Sequence, residues 1–259
     1  MYVDDHPSFG EAQKLVHRDR PSRVVVGESR AMAGFSDLGA PVFDFDPPPC
    51  PECTLPTAAQ CRTALRQSVS RAVVLAANAA DKIEAAISVP PAARDADARQ
   101  TARFYRCFFG HDPARPVPWA GNQASGVSVA KRFRAVANEL NGGRRVVFRC
   151  RPARAGCGED LTCCDPQDNA WFQPDAGRNT VNLCPPFWAA TRDIRAGIII
   201  HEVLHMLFGH LQDAGRGRIR NACYEAFTLR LAGVTPSPFD VCNCRGTPCP
   251  PNPVAACPL

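Results

Sequence analysis

The sequence predicts an α+β fold that is mostly helical, with a small antiparallel sheet and a framework of disulfide bonds. Helical periodicity dominates 57–143 and 191–232, three short strand-like segments lie between these regions, and no alternating strand–helix–strand units occur. The 14 cysteines among 259 residues are more than a reducing compartment usually allows. These observations together predict a disulfide-rich domain of this class.

The cysteines leave alternatives open. They are even in number and most lie in loop-like sequence beside proline or glycine, so disulfide bonds are expected, although their pairing cannot be deduced. One alternative is a set of buried free thiols. Another is a structural zinc site formed by CPEC at 50–53 and CNC at 242–244, but no clean four-ligand spacing is present.

Disulfide bonds indicate an extracellular protein, yet the first 20 residues are charged and lack the apolar centre of a signal peptide. Export is therefore expected to use a signal outside this chain or another route. The net charge of +5 is diffuse, so no nucleic-acid surface is predicted. No apolar stretch reaches about 18 residues, so no membrane span is predicted. A monomer is expected.

The elements follow from apolar spacing and end signals. The predicted helices are 57–88 capped by Thr57, 94–109 ended by Gly110, a helix from after Ser125 to the glycines at 142 and 143, 191–209, and 217–232. The predicted strands are 144–150, 169–173 and 179–184. The expected organisation begins with an irregular Pro-rich arm at 1–56, which includes a short strand at 24–27, and a helical subdomain at 57–143. A core at 144–233 and a Cys/Pro-rich tail at 234–259, packed on the core, follow.

The segment IIIHEVLHMLFGH at 198–210 places three polar side chains in an apolar helix. His201 and His205 are four residues apart, so both imidazoles leave one helix face and can bind a single zinc ion. Glu202 follows the first histidine and can act as general base toward a zinc-bound water. A hydrogen-bonded structural cluster is the alternative, but burying these groups without a metal would cost several kcal/mol.

A catalytic zinc needs a third protein ligand and an open position. Spacing offers Glu225 on the following helix, then Asp213 in the loop after Gly209, then His210. His210 can serve only if the chain turns sharply at Gly209. Glu225 has an alternative role, as a carboxylate that orients a ligand histidine.

About residues 144–232 resemble the aspzincin metallopeptidases, the deuterolysin and peptidyl-Lys endopeptidase group. NTVNLCPPFW at 179–188 is similar to the strand before the zinc helix in that family. HEVLH at 201–205 matches the zinc helix, and NACYEAF at 221–227 is similar to the N-A-x-x-Y-x-x-F string behind it. The resemblance implies a zincin-like fold, a zinc-bound water and endopeptidase activity.

In that family the third ligand is an Asp in a G-T-x-D-x-x-Y-G loop, of which GHLQDAGRG here retains the Gly and, at Asp213, the Asp. The loop tyrosine is missing, and Tyr224 is the candidate to stabilise the oxyanion in its place. The strand at 180–184 is expected to form the upper rim of the cleft, where an extended substrate could pair with it. Phe187 and Trp188 either line the site or pack behind the zinc helix.

The residues and the resemblance together predict a secreted, zinc-dependent endopeptidase that hydrolyses peptide bonds in a peptide or protein substrate. One alternative is a toxin or effector domain with the same chemistry. The other is a non-catalytic binding module in which zinc only stabilises the fold. Glu202 favours an enzyme, because a purely structural zinc site needs four closed ligands and no base.

Overall fold

The structure of the chain, a computed structural model, describes residues 43–45, 53, 55, 57–116, 125–143, 146–157, 162–173, 179–209, 211 and 221–234. Most of the predicted arm at 1–56, including the strand at 24–27, lies outside the described residues. So does nearly all of the predicted tail at 234–259. Two candidate ligands, His210 and Asp213, also lie outside them.

The described elements give a mixed α+β protein in which helices predominate, as the sequence predicts. The helices are α1 (Ala58–Ser88), α2 (Ala96–Phe109), α3 (Gly126–Asn138), α4 (Pro185–Ala189), α5 (Arg192–Leu207) and α6 (Asn221–Leu231). The strands are β1 (Phe43–Phe45), β2 (Val146–Cys150), β3 (Ala170–Gln173) and β4 (Thr180–Leu183). The elements β1 and α4 were not predicted.

Capping residues set the helix ends where the sequence places them. The hydroxyls of Thr57 and Thr191 accept hydrogen bonds from backbone N–H groups in the first turns of α1 and α5, which satisfies donors that a helix start leaves unpaired. Gly110 ends α2 with φ of 85°, a left-handed conformation that favours glycine. After α3 the chain passes through a wider turn at Glu139–Gly143 before β2 begins.

The sheet is mixed, so the prediction of an antiparallel sheet is wrong. The strand order is β1-β2-β4-β3, and only β3 and β4 pair antiparallel, whereas β1 with β2 and β2 with β4 are parallel. The connection at 151–169 carries the chain from β2 to the far edge, where β3 forms. The following β4 then turns back and enters between β3 and β2, running in the direction of β2.

One buried hydrophobic cluster extends from α1 through the sheet to α6. Helix α1 lies at its centre and packs against α2, α3, α5 and α6. Alanines on its buried face, such as Ala72, Ala76 and Ala80, have 0% exposure, and small side chains of this kind permit close approach of neighbouring helices. Helix α5 packs against both α1 and α6.

Polar contacts also join the helices. Arg71 on α1 pairs with Asp193 on α5 at 2.8 Å, and Arg195 on α5 donates to the Ser68 hydroxyl on α1 at 3.0 Å. Across α2, the buried guanidinium of Arg94, before the helix, makes two 2.7 Å hydrogen bonds to Asp112, after it. These bonds lower the pKa of that carboxyl. None of these pairs involves the segment at 198–210.

Every cysteine in the described part of the chain is disulfide-bonded, which confirms the disulfide prediction there. The described pairs are Cys53–Cys61, Cys157–Cys163 and Cys164–Cys184. Free thiols are thus excluded at these positions, and the bond to Cys61 removes Cys53 from the alternative zinc site. No helix in the described residues is long and apolar enough to span a membrane.

The Cys164–Cys184 bond is expected to stabilise the fold more than the shorter Cys157–Cys163 loop. It closes a sequence separation of 20 residues and fixes the end of β4, where Cys184 also precedes α4. Replacing both cysteines of this pair by alanine should lower the free energy of unfolding by about 3 kcal/mol in the chain-entropy treatment. Urea unfolding would measure the loss.

The matched control is the double replacement of Cys157 and Cys163, whose separation is 6 residues. The same treatment gives a loss of about 2 kcal/mol for that loop. Equal or reversed losses for the two pairs would contradict the expected dependence on loop length.

Candidate metal centre

Helix α5 carries the polar segment of the sequence. Ile199, Ile200, Val203 and Leu204 are fully buried, so the helix is enclosed on most sides. His201 and His205 are only partly buried, and their ring centroids lie 5.1 Å apart. The prediction that both imidazoles leave the same face of one helix is therefore confirmed.

The polar face of α5 opens into a cleft with a volume of about 360 Å³. Its lining combines the polar residues of α5 with the helix end and one strand: Ala170, Trp171, Phe172, His201, Glu202, His205 and Gly209. Glu202 contributes to this lining although only 5% of it is exposed to solvent. The cleft thus brings the two histidines and the carboxylate together beside an aromatic wall.

The wall opposite α5 is β3, not β4, so the prediction that the strand at 180–184 forms the rim is wrong. Strand β4 is paired on one side with β2 and on the other with β3, which leaves no edge for a substrate. Strand β3 ends the sheet, and no other described strand pairs with its outer edge.

The hydrogen-bond register of β3 decides which of its backbone groups face outward. The Cys184 N–H donates to the Asn169 carbonyl at 3.0 Å. Backbone groups along an antiparallel strand face the partner strand at alternate residues. The N–H and C=O groups of Ala170 and Phe172 therefore point away from β4, toward the open edge. These two residues also line the cleft.

Glu225 lies behind His201, on α6. Its Oε2 is 3.1 Å from Nδ1 of His201, and its side chain is 4% exposed. One turn earlier on the same helix, the fully buried Asn221 donates from Nδ2 to the His201 carbonyl at 3.3 Å. Two side chains of α6 therefore hold one histidine, through its ring and through its backbone.

Tyr224 points in another direction. It has 0% exposure, and its ring lies 5.1 Å from that of Phe109 and 5.2 Å from that of Phe133. Its hydroxyl accepts a 2.6 Å hydrogen bond from Arg132. Burial raises the pKa of this phenol, and the neighbouring Arg132 opposes the rise. The structure does not bring Tyr224 to the cleft lining.

Of the two alternatives for Phe187 and Trp188, lining the site or packing behind the histidine helix, the structure has the packing. Both are buried, and their rings meet edge to face at a centroid distance of 5.1 Å. Neither lines the cleft. The Trp188 carbonyl instead accepts a hydrogen bond from Arg195 on α5, so the pair packs behind the helix that carries the histidines.

The donor set in the cleft fits a transition-metal ion such as zinc in part. Two imidazoles one helical turn apart are suitable ligands. The buried Oε1 of Glu225 has no hydrogen-bond partner among the described residues, so a positive charge nearby would offset its burial. No group of three His, Cys, Asp or Glu side chains able to hold a metal occurs within the described ranges.

Comparison with known protein families, curated proteins and solved structures finds no match to this chain.

Three contributors to this region were not found from the sequence. Gly197 lies one turn before His201 on α5, where a Cβ atom would come within 3.1 Å of Cγ of Glu225 and 3.0 Å of Leu229. Its signal is a glycine inside an otherwise apolar helix. Asn221 had no role assigned, and β3 was predicted as a strand but not as the cleft wall.

Proposed function

We propose that this protein is a zinc-dependent endopeptidase with a zincin-like site. The observation that carries the proposal is the single cleft into which His201, Glu202 and His205 all open. A helix packed this tightly would more stably hold apolar residues at these positions, so the three polar groups indicate a chemical role.

His201 and His205 would hold the metal, and the third protein ligand would come from the segment after Gly209, where Asp213 and His210 are the candidates. When bound, zinc would supply a Lewis acid that lowers the pKa of a water molecule toward neutral pH. The aspzincin resemblance in the sequence supports Asp213 over His210.

Glu202 is the general base in this proposal. It follows His201 directly and lines the same cleft, yet only 5% of it is exposed to solvent. A shielded carboxylate beside the reacting water can take its proton and later deliver that proton to the leaving amine. Such a group has no function in a purely structural zinc site.

The open edge of β3 would bind the substrate in extended form. The outward N–H and C=O groups of Ala170 and Phe172 can hydrogen-bond a peptide main chain by strand addition. This pairing would lay the peptide between β3 and α5, across the histidines. Binding through the main chain suits cleavage within a polypeptide, because it requires no chain terminus.

We also propose that the protein acts outside the cell, as a secreted enzyme or a delivered effector. The disulfide bonds at every described cysteine support this location. Export and delivery have the same chemistry at the cleft, so the location does not alter the proposed reaction.

The test is to measure zinc content and cleavage of casein and a peptide library by the purified chain. We expect one zinc per chain, cleavage that a chelator abolishes, and recovery when zinc is restored. His201→Ala and His205→Ala should lose the metal, and of Asp213→Ala and His210→Ala only the former should. Bound zinc with no cleavage of any peptide would reject the endopeptidase and favour the binding module.

A further inference from the structure

The geometry around His201 points to a positioning device of three residues, Gly197, Asn221 and Glu225, which presents Nε2 of His201 to the cleft. We propose that Glu225 is the acceptor that orients this imidazole and is not a metal ligand. This inference rests on the proposed zinc site for its purpose, but the contacts that carry it belong to the metal-free chain.

The first step is the pairing of Glu225 with His201. A carboxylate oxygen only accepts a hydrogen bond, so the 3.1 Å contact between Oε2 and Nδ1 places the proton on Nδ1. In the neutral ring the lone pair is then on Nε2, the form in which histidine binds a metal. A carboxylate bound to the far nitrogen of a ligand histidine also raises the basicity of that ligand.

The second step is the space that lets Glu225 reach the ring. The side chain crosses α5 beside Gly197, where a Cβ would lie 3.1 Å from Cγ of Glu225. That distance is tighter than ordinary van der Waals contact, so a Cβ at 197 would require Glu225 or Leu229 to shift by a few tenths of an ångström. The absence of a side chain at 197 therefore opens the route from α6 to Nδ1 of His201.

The third step is the hold on the backbone. Asn221 lies one helical turn before Glu225, so both side chains leave the same face of α6. Its amide donates to the His201 carbonyl while the carboxylate of Glu225 meets the ring. These two contacts fix the distance and the rotation of α6 relative to His201, which keeps the hydrogen bond to Nδ1 in register.

The role of an orienting residue differs from that of a ligand in its measurable effects. In metal-free protein at mildly alkaline pH, nitrogen NMR should find His201 of the wild type protonated at Nδ1. Glu225→Ala should shift the ring toward the Nε2–H form that neutral histidine favours in water. Glu225→Gln retains an acceptor oxygen, so it should keep the wild-type form.

Zinc affinity, measured by competition with a chromogenic chelator, provides the second readout. Glu225→Ala should weaken binding by about 10- to 100-fold, the usual effect of losing such a carboxylate partner, and Glu225→Gln should recover part of the loss. Gly197→Ala should weaken binding less than Glu225→Ala does, because it displaces the carboxylate without removing it. In the Glu225→Ala background its effect should be smaller, since only the contact with Leu229 is left.

Thr228→Val is the matched control, since Thr228 is buried on α6 and donates its hydrogen bond to the Glu225 carbonyl at 2.7 Å, not to His201. It should change neither the ring proton nor the zinc affinity, even if thermal stability falls. Asn221→Ala should shift both readouts in the direction of Glu225→Ala.

Two results would overturn the proposal. One is an unchanged His201 ring and unchanged zinc affinity in Glu225→Ala. The other is a cobalt-substituted spectrum that loses an oxygen ligand in Glu225→Gln, which would make Glu225 a ligand. Failure of the proposed function is separate: a wild type that binds no zinc rejects the metal centre, whereas the NMR comparison still tests the pairing.

Discussion

Glu202→Gln is expected to lower kcat/KM for peptide cleavage by about 10³-fold, within the range reported for losing a general base, while zinc stays bound. Glutamine has the size and shape of glutamate, so the cleft and the helix should be unchanged, but an amide cannot take a proton from water. No other carboxylate occurs among the described residues that line the cleft, so none there can replace Glu202.

The measurement is steady-state cleavage of a fluorogenic peptide, with zinc content determined on the same samples. Glu84→Gln is the control, because Glu84 is 49% exposed on α1 and pairs only with Arg134 among the described residues. It should cleave at the wild-type rate. Cleavage by Glu202→Gln at the wild-type rate, with zinc present, would reject Glu202 as the base.

Phe227→Ala is expected to have the largest effect on stability, a loss of about 3–5 kcal/mol in the free energy of unfolding. Phe227 on α6 has 0% exposure. Four rings surround it at centroid distances of 5.6 to 6.3 Å, from Tyr105, Phe108, Phe109 and Phe133. Its removal would leave a cavity where α2, α3 and α6 meet.

Urea unfolding followed by circular dichroism measures this loss. Phe227→Leu refills most of the volume and should cost less than the alanine variant. Val127→Ala, at a side chain that is 50% exposed, should stay within about 0.5 kcal/mol of the wild type. A Phe227→Ala variant as stable as Val127→Ala would mean that this aromatic cluster does not hold α6 in place.

Local signals predicted the helices well. Thr57 begins α1, Gly110 ends α2 and Thr191 begins α5, because capping depends on neighbouring residues that the sequence displays. The direction of the strands was not predictable in the same way. Whether β4 lies beside β2 depends on pairing between segments far apart in the chain, which spacing within one short segment does not display.

In the candidate site, too, features within one helix were predictable and contacts between helices were not. His201, Glu202 and His205 share one helix, so their spacing alone predicts a common face. The contacts of Glu225 and Asn221 with His201 depend on how α6 packs on α5. Spacing could only propose that Glu225 lies near the histidines, and it could not separate a ligand from an orienting partner.

The other wall of the cleft depends on pairing across the sheet. The segments at 169–173 and 179–184 are both predicted as short strands, and neither pattern indicates which one lies at the edge of the sheet. Tyr224 shows a related limit, because adjacent residues on a helix face about 100° apart. Proximity to Glu225 in the sequence therefore did not place its hydroxyl in the cleft.

The three-residue strand β1 has a consequence for handling this protein. Its backbone pairs with Val146–Phe148 of β2 along the side of the sheet opposite to β3. A chain shortened past Phe45 would leave that side of β2, with its run of valines and phenylalanine, unpaired. Exposed strands of this kind recruit other chains and promote aggregation. Expression designs that begin at α1 would therefore shorten the chain but remove the strand that covers this edge of β2.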